Sequence, residues 1–260
     1  MKWPSVSCIC ITRNRRLFLR QAVAYFNRAL LHYPSDDVEM VIVDNGVDGW
    51  NFSTFPFDGM GRSRYTHRPD LAGQGGKARN LACDIARNDV IIHWDDDDWQ
   101  HPERVTRQVK TLLTSPGDGL ARTHNYYWYH MAERWACKSK TWQPDIGVGR
   151  SENTVGATFA YWKDTWKKTP FRENVGMAED IAFQVDLRER GCSILDARDP
   201  ELLVYMRHNQ NASLLSNHDR TDIDTAACTL LIGQADLDFY DGIGELLPMV
   251  PGRESPWHTP

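Results

Sequence analysis

The segment VIIHWDDDDW at residues 90–99 decides the fold, because an apolar run of strand length ends there in four consecutive aspartates. Short apolar runs rich in β-branched residues are typical of strands that are buried on both faces of a parallel sheet. Two similar runs precede it, at 6–11 and 38–43, and each also ends in polar residues. We therefore expect polar groups at the carboxyl ends of three parallel strands, which is the edge where open α/β sheets bind ligands.

Helical periodicity occupies most of the sequence between these strands. Apolar residues at helical spacing from residue 19 onward predict an amphipathic helix that runs to about Leu31. Similar patterns predict helices over 75–86 and 102–113, and a short strand is expected at 64–67. Alternating strands and helices with short connections indicate a parallel sheet with crossover helices.

The second half of the chain is richer in aromatic residues, which concentrate between 125 and 142. This segment predicts a hairpin-like pair of strands. We favour a core position for Trp128 and Trp135, while a sugar- or base-stacking surface and a dimer surface stay open as alternatives. Further along, the patterns predict strands at 154–162 and 202–207, helices at 179–190 and 222–232, and a tail containing Gly and Pro.

The composition excludes several classes of protein. Of the 260 residues, 41% are hydrophobic and 25% are charged, which excludes wholesale disorder. A formal net charge of -5 excludes a generally basic nucleic-acid coat and leaves a local basic groove open. No apolar run reaches the ~18–20 residues that span a bilayer, and no signal-peptide pattern is present, so we expect a cytoplasmic protein without an integral membrane segment. Six cysteines without CxxC spacing predict reduced core thiols rather than a zinc site.

The run of aspartates at 95–98 is the strongest candidate for chemistry. Adjacent carboxylates repel one another, so they require a cation, basic partners or free solvent. A solvated loop near the positive end of the next helix is one interpretation. We favour a divalent-metal site that holds a diphosphate, because Mg²⁺ and Mn²⁺ prefer oxygen ligands and often complete their coordination with phosphate.

Two other groups of residues are candidates for binding a nucleotide. Thr12 and Asp44 end adjacent strands of the expected sheet, where the carboxylate could accept an N–H from a base edge, although Asp44 also suits a simple turn. Gly76, Lys77 and Arg79 open a helix whose positive N-terminus and cations could bind phosphate. Two solvated surface cations are the alternative at this second position.

Taken together, these segments resemble the family-two glycosyltransferases, whose nucleotide-sugar-binding domain has the GT-A fold. The resemblance extends over about residues 4–210. Its landmarks are ITRNR at 11–15, VIVDNG at 41–46, ARNLA at 78–82, WDDDDW at 94–99 and AED at 178–180. It implies an α/β fold with a GT-A-type, Rossmann-like, mostly parallel sheet flanked by helices, and a smaller acceptor-side subregion.

The resemblance also implies a domain organisation and roles for single residues. The GT-A domain would cover 1–215, with a nucleotide-binding half at about 1–115 and an acceptor half at about 116–215, followed by a C-terminal helix and tail at 216–260. The residues implied in nucleotide binding are Thr12, Arg13, Asp44, Gly76, Lys77, Arg79, Asp95 and Asp96. Those implied in holding Mn²⁺ or Mg²⁺ are Asp95, Asp97 and His208, although a late histidine could be structural and Arg207 could bind phosphate instead.

The acidic pair Glu179 and Asp180 resembles the family's pair at a helix start, where Asp180 would be the general base that deprotonates the acceptor hydroxyl. A helix-start acid favoured by the helix dipole is the alternative. The implied activity is a metal-dependent, inverting transfer of a sugar from a nucleotide diphosphate donor, above all a UDP-sugar, to a hydroxyl acceptor. A nucleotidyltransferase or sugar-nucleotide synthase and a non-enzymatic carbohydrate-binding module are the other candidates. The acceptor stays open, a nucleic acid included, as does the oligomeric state.

Overall fold

Strands and helices alternate in the computed structural model, which describes residues 2–50, 62–123, 126–138, 156–175, 179–208, 211 and 223–246. The strands are β1 (Val6–Thr12), β2 (Val38–Asp44), β3 (Ser63–His67), β4 (Val90–His93), β5 (Trp99–Gln100), β6 (Gly119–Arg122), β7 (Tyr127–His130), β8 (Trp135–Lys138), β9 (Ala160–Trp162), β10 (Ser193–Asp196) and β11 (Leu203–Arg207). The helices are α1 (Arg16–Leu30), α2 (Gly75–Ile85), α3 (Arg104–Leu112), α4 (Lys163–Lys168), α5 (Glu179–Glu189), α6 (Thr225–Ile232) and α7 (Gln234–Leu246).

The larger sheet has seven strands in the order β10-β6-β9-β4-β1-β2-β3. Strand β4 lies at its centre, and its neighbour β1 pairs in parallel with both β2 and β4, while β9 pairs antiparallel with both β4 and β6. The smaller sheet has the order β5-β11-β7-β8, and β7 and β8 form the expected antiparallel hairpin. The mostly parallel α/β sheet expected from the sequence is therefore confirmed.

Helices cover both faces of the larger sheet. Successive side chains of a strand point to opposite faces, so each face has its own apolar cluster against which helices pack. Cys8 and Cys10 of β1 pack into one apolar cluster with Phe26 of α1. Ile9 points the other way, into a cluster that includes Ala78 and other residues of α2. All six cysteines are buried and free, as predicted. Within the described ranges, no helix is both long and apolar enough to cross a membrane.

The observed elements depart from the sequence-based predictions at several places. The helix expected from Pro102 begins at Arg104, after a turn, and the strand expected at 154–162 consists of a 3-10 turn at Gly156–Thr158 followed by β9. Helix α7 occupies part of what the sequence predicts as a tail. Its apolar residues pack into the same cluster as β1, although two glycines weaken its helical signal. Strands β5, β6 and β10 and helix α4 were not predicted. Parts of five predicted segments lie outside the described residues: 125 and 139–142, 154–155, Ala178, Asp222 and the tail after 246.

Candidate active site

Polar groups from three neighbouring strands converge at one edge of the larger sheet. Thr12 at the end of β1 and Asp44 at the end of β2 are register partners. The aspartate run follows β4 on the other side of β1, and the Thr12 hydroxyl donates a hydrogen bond to Asp96 Oδ2 at 2.6 Å. The prediction that the strand ends bring these groups together is confirmed.

Arg15, in the turn before α1, binds two of the aspartates through one guanidinium nitrogen. Its Nη1 lies 2.9 Å from Asp96 Oδ1 and 2.6 Å from Asp97 Oδ2. Burial, opposed by Arg15 and reinforced by the charge of Asp97, raises the pKa of Asp96 to about 7. Burial also acts on Asp97, but the Arg15 charge and a hydrogen bond from His208 outweigh it and lower the pKa of Asp97 to about 2. The Arg15 guanidinium therefore stabilises the ionised carboxylate of Asp97 more than that of Asp96.

His208, directly after β11, completes this group of side chains. Its Nε2 lies 3.1 Å from Asp97 Oδ2, and its ring stacks on Phe18 with the centroids 4.7 Å apart. Asn211 fixes it from the other side, because Asn211 Oδ1 accepts the His208 backbone N–H at 2.7 Å. We call Thr12, Arg15, Asp96, Asp97 and His208 the aspartate cluster.

The four aspartates have different surroundings, so the simple solvated-loop interpretation is wrong. Asp96, Asp97 and Asp98 are buried. Asp98 Oδ1 accepts the Met206 backbone N–H at 3.0 Å, which ties the loop to β11, and burial raises the pKa of Asp98. Asp95 is the most exposed of the four, and its carboxylate lies 3.9 Å from Arg79 Nη1.

The aspartate cluster fits a divalent ion only in part. Asp97 Oδ2 and His208 Nε2 are 3.1 Å apart. This is a hydrogen-bond distance, and the chemistry of a carboxylate oxygen and an imidazole nitrogen, rather than their separation, makes the pair suitable ligands for Mn²⁺. Over the described part of the chain, no three His, Cys, Asp or Glu side chains form a metal-binding group, and the expected third ligand, Asp95, faces Arg79 instead. Such an ion would depend on phosphate oxygens to complete its coordination.

A cavity of about 520 Å³ lies beside the aspartate cluster. Its lining includes Thr12, Arg15, Asp44 and Trp50. Both carboxylate oxygens of Asp44 accept hydrogen bonds, from the Gly46 N–H at 2.8 Å and from the Tyr65 hydroxyl at 2.7 Å. The volume is in the usual range for small-molecule sites, and the Asp44 carboxylate faces the cavity with acceptor lone pairs beyond these two bonds.

A second cluster of charged groups lies at the start of α5. Arg79 Nε of α2 donates to Glu179 Oε1 at 3.0 Å. Asp180 Oδ2 accepts the Gly156 N–H at 2.9 Å, and a Cβ at position 156 would come within 2.6 Å of Asp180, so only glycine allows this approach. Burial and the neighbouring Glu179 raise the pKa of Asp180. We call Arg79, Gly156, Glu179 and Asp180 the helix-start cluster.

Arg79 is held from behind by a buried chain of hydrogen bonds. Its Nη1 lies 3.3 Å from His93 Nδ1, and His93 Nε2 lies 3.1 Å from the Tyr161 hydroxyl, which in turn contacts Cys83 Sγ at 3.3 Å. Burial lowers the pKa of His93, so its ring is neutral and Nδ1 is able to accept a hydrogen bond from the guanidinium. Arg79 thus has a fixed position between Asp95 and Glu179.

Three residues implied in nucleotide binding lie apart from both clusters. Arg13 is exposed and is absent from the lining of the cavity. Gly76 packs tightly against the backbone carbonyl of Arg172, and Lys77 lines a different surface groove.

The sequence analysis did not assign several residues that the structure brings into the two clusters or their supports, His93 among them. They also include Arg15, Tyr65, Gly156 and Asn211. The nearest sequence signal was the alternation of arginines in ITRNR at 11–15, where the second arginine rather than the first reaches the aspartates.

Known proteins similar to the chain share both the family pattern and the fold. The model of the family described as "Glycosyl transferase family 2" matches residues 7–162, which is more than half of the chain. No curated protein sequence matches.

Two solved structures illustrate the similarity. Residues 1-349 of TarS from S. aureus in complex with UDP-GlcNAc align with 82% of this chain at 16% identity and a TM-score of 0.56. The mannosyltransferase PcManGT from Pyrobaculum calidifontis, in complex with GDP-Man and Mn2+, also aligns with 82% at 16% identity and a TM-score of 0.55. The chain spans 62% and 59% of the length of these two proteins. The GT-A fold expected from the resemblance is confirmed.

Proposed function

The chain belongs to glycosyl transferase family 2, and we propose that it transfers a sugar from a nucleotide diphosphate donor to a hydroxyl acceptor. The observation that supports this most directly is the arrangement along one sheet edge. A cavity runs from Asp44, at the end of β2, to Arg15 and Thr12 beside the aspartates. A site for a nucleoside diphosphate needs a hydrogen-bond acceptor for the base at one end and positive charge for the diphosphate at the other. Asp44 and Arg15 supply these two features in this cavity.

The proposed donor is a UDP-sugar. The Asp44 carboxylate can accept an N–H from a nucleobase, and uracil has such a group. Tyr65 donates to Asp44 and accepts the Trp50 backbone N–H at 2.7 Å, so it holds the carboxylate toward the cavity. Two of the similar solved structures are complexes with UDP or UDP-GlcNAc, and a third holds GDP-Man. Guanine also presents N–H donors, so GDP-sugars are the comparison that a donor assay must include.

Asp97 and His208 would hold Mn²⁺ or Mg²⁺ in this proposal. When bound, such an ion neutralises charge on the departing diphosphate. Asp98 supports the arrangement, because its bond to the Met206 N–H ties the aspartate loop to the strand that leads to His208. One of the similar structures contains Mn2+.

Asp180 is the proposed general base. One of its carboxylate oxygens is positioned by the Gly156 N–H, and the raised pKa makes the carboxylate a better proton acceptor. Its partner Glu179 is occupied by Arg79 and is therefore less suited to exchange protons. The acceptor hydroxyl would lose its proton to Asp180 as it attacks the anomeric carbon from the side opposite the diphosphate, which gives inversion.

A donor assay tests the proposal. The protein would be incubated with UDP-, GDP-, ADP- and TDP-sugars and Mn²⁺, and release of nucleoside diphosphate would be measured. We expect turnover with a UDP-sugar, at a slow rate by hydrolysis and faster when a suitable hydroxyl acceptor is present. Release of pyrophosphate from a nucleoside triphosphate and a sugar phosphate would instead indicate a nucleotidyltransferase, and sugar binding without any nucleotide binding would indicate a carbohydrate-binding module.

A further inference from the structure

We infer that Arg15 is an internal counter-cation that excludes divalent ions from Asp97 until a nucleoside diphosphate draws its guanidinium away. The inference rests on the proposed function, since it assigns a role to a residue of that same site. Arg15, in the turn before α1, would thereby control the order in which the donor and the ion bind.

The contacts of one oxygen atom lead to this inference. Asp97 Oδ2 lies 2.6 Å from Arg15 Nη1, 3.1 Å from His208 Nε2 and 3.4 Å from Asn211 Nδ2. His208 Nε2 can coordinate an ion only when it carries no proton, so an ion held by Asp97 and His208 replaces the hydrogen bond between them. The Arg15 guanidinium would remain 2.6 Å from the oxygen that holds the ion, and the double positive charge of the ion would repel it strongly.

Arg15 is also the partner that is best placed to leave. His208 is 5% exposed, it stacks on Phe18, and its backbone N–H is bound by Asn211. The Arg15 side chain is 16% exposed and lines the cavity. Rotation about its side-chain bonds can therefore move the guanidinium into the cavity without moving a strand or helix.

The cavity provides a place for the guanidinium to go. Arg15 is the residue before the first turn of α1, where no acidic side chain is present and no side chain caps the helix. The unpaired N–H groups at such a helix start favour an anion. A diphosphate bound beside them would meet Arg15 at the same time, and a planar guanidinium is well suited to bind phosphate.

The consequence is that the ion and the nucleoside diphosphate bind synergistically. The diphosphate binds the Arg15 guanidinium and so frees the Asp97 carboxylate for the ion. The ion, in turn, occupies that carboxylate and so leaves the guanidinium free to bind the diphosphate. Binding linkage requires this effect to be reciprocal, so each ligand increases the affinity for the other by the same factor.

Mn²⁺ binding to the intact protein tests the inference, measured by isothermal titration calorimetry and by the decrease of the free Mn²⁺ electron paramagnetic resonance signal. The proteins are wild type, Arg15→Met and the matched control Arg20→Met, which removes the same charge from an exposed position of α1. Without nucleotide, we expect Arg15→Met to bind Mn²⁺ about tenfold more tightly than wild type, because the competing charged contacts are gone. Arg20→Met should match wild type.

UDP is the second probe. We expect UDP to increase Mn²⁺ affinity strongly in wild type and about tenfold less in Arg15→Met, where no guanidinium has to be displaced. If Arg15→Met binds Mn²⁺ no more tightly than wild type in the absence of UDP, the inference is wrong. If UDP leaves the Mn²⁺ affinity of wild type unchanged, the proposed nucleotide site itself is wrong, and the two failures are thereby separated.

A conservative variant protects the test against loss of folding. Arg15→Lys keeps the charge beside the aspartates, and its Mn²⁺ affinity should stay within about threefold of wild type. Circular dichroism melting curves of all variants establish that they are folded. Mn²⁺ binding by Arg15→Lys as tight as that by Arg15→Met would show that charge at this position does not compete with the ion.

Discussion

The aspartate cluster and the helix-start cluster each pair an arginine with acids from distant parts of the chain, but the two arginines are held differently. Arg15 lies in a turn at the rim of the cavity, and all of its described acidic partners are in the aspartate run. Arg79 lies inside α2, reaches Glu179 and Asp95, and has a neutral histidine, His93, behind it. The Arg15 guanidinium faces the cavity that a ligand would occupy, and the Arg79 guanidinium is enclosed by the protein.

This difference matches the two roles that we propose for the clusters. A general base must keep its position during the reaction, and a cation fixed by a helix and a buried hydrogen-bond chain stabilises that position. A metal site must instead open to admit its ion and the diphosphate. A cation at the rim stabilises the acids in the free protein and can still be displaced. Each of the following changes tests whether the two clusters differ in this way.

The largest effect should come from Asp180→Asn. Loss of the carboxylate removes the proposed general base, so we expect kcat to fall about a thousandfold. The affinity for UDP should change less than twofold, because the proposed donor contacts lie at Asp44 and in the aspartate cluster. Steady-state kinetics and calorimetry measure the two quantities. Glu179→Gln is the matched control and should lose much less activity, and equal losses in the two variants would contradict the assignment of Asp180 as the base.

The second effect concerns the free energy of unfolding, which should fall by different amounts when Arg79 and Arg15 are replaced. Arg79→Met should lower the free energy of unfolding by about 3 kcal/mol, because it leaves the buried Glu179 carboxylate without its guanidinium. Arg15→Met should lower it by less than half as much, since Asp97 retains its contacts with His208 and Asn211 and Asp96 retains the hydrogen bond from Thr12. Urea unfolding followed by circular dichroism gives both values. Equal losses would mean that Arg15 is as firmly built into the fold as Arg79.

A smaller change in binding should distinguish the aspartates from one another. Mn²⁺ should strengthen UDP binding to wild type at least tenfold, and Asp97→Ala should abolish this gain because it removes the proposed ligand. Asp98→Asn is the control, since an asparagine oxygen can still accept the Met206 N–H. Calorimetric titration of UDP with and without Mn²⁺ measures the gain. Retention of the gain in Asp97→Ala would exclude Asp97 as a ligand.

The smallest expected effect is a shift of the acidic limb of the kcat/KM-against-pH profile toward higher pH. Only ionised Asp180 can accept a proton, and burial together with Glu179 raises its pKa above the ordinary carboxyl value. As the pH falls through this raised pKa, the base becomes protonated and kcat/KM should decline, at a higher pH than an unperturbed aspartate would allow. A profile that is flat down to pH 4 would show that the group with the raised pKa does not act in the reaction.

Sequence patterns predicted the centre of the fold better than its margins. All residues of β2 and β4 and all but Ile11 of β1 are buried, so the apolar runs of these strands are continuous and easy to identify. Strand β10 has no buried residue, and β6 has only two apolar side chains between a glycine and an arginine, so neither has a clear pattern. Helix α7 contains Gly242 and Gly244, and its helical conformation depends on packing against the core rather than on local propensity.

For the candidate site, the sequence by itself determined which acids and polar groups stand at the ends of strands. The ends of strands and the starts of helices follow from local periodicity, so the positions of Thr12, Asp44 and the aspartate run could be predicted. Only the tertiary structure decided which cation meets which acid. Arg15 and Asp97 are 82 positions apart, and His208 and Asp97 are 111 apart. Such contacts depend on how strands and loops are brought together in space, and no local pattern of residues encodes that.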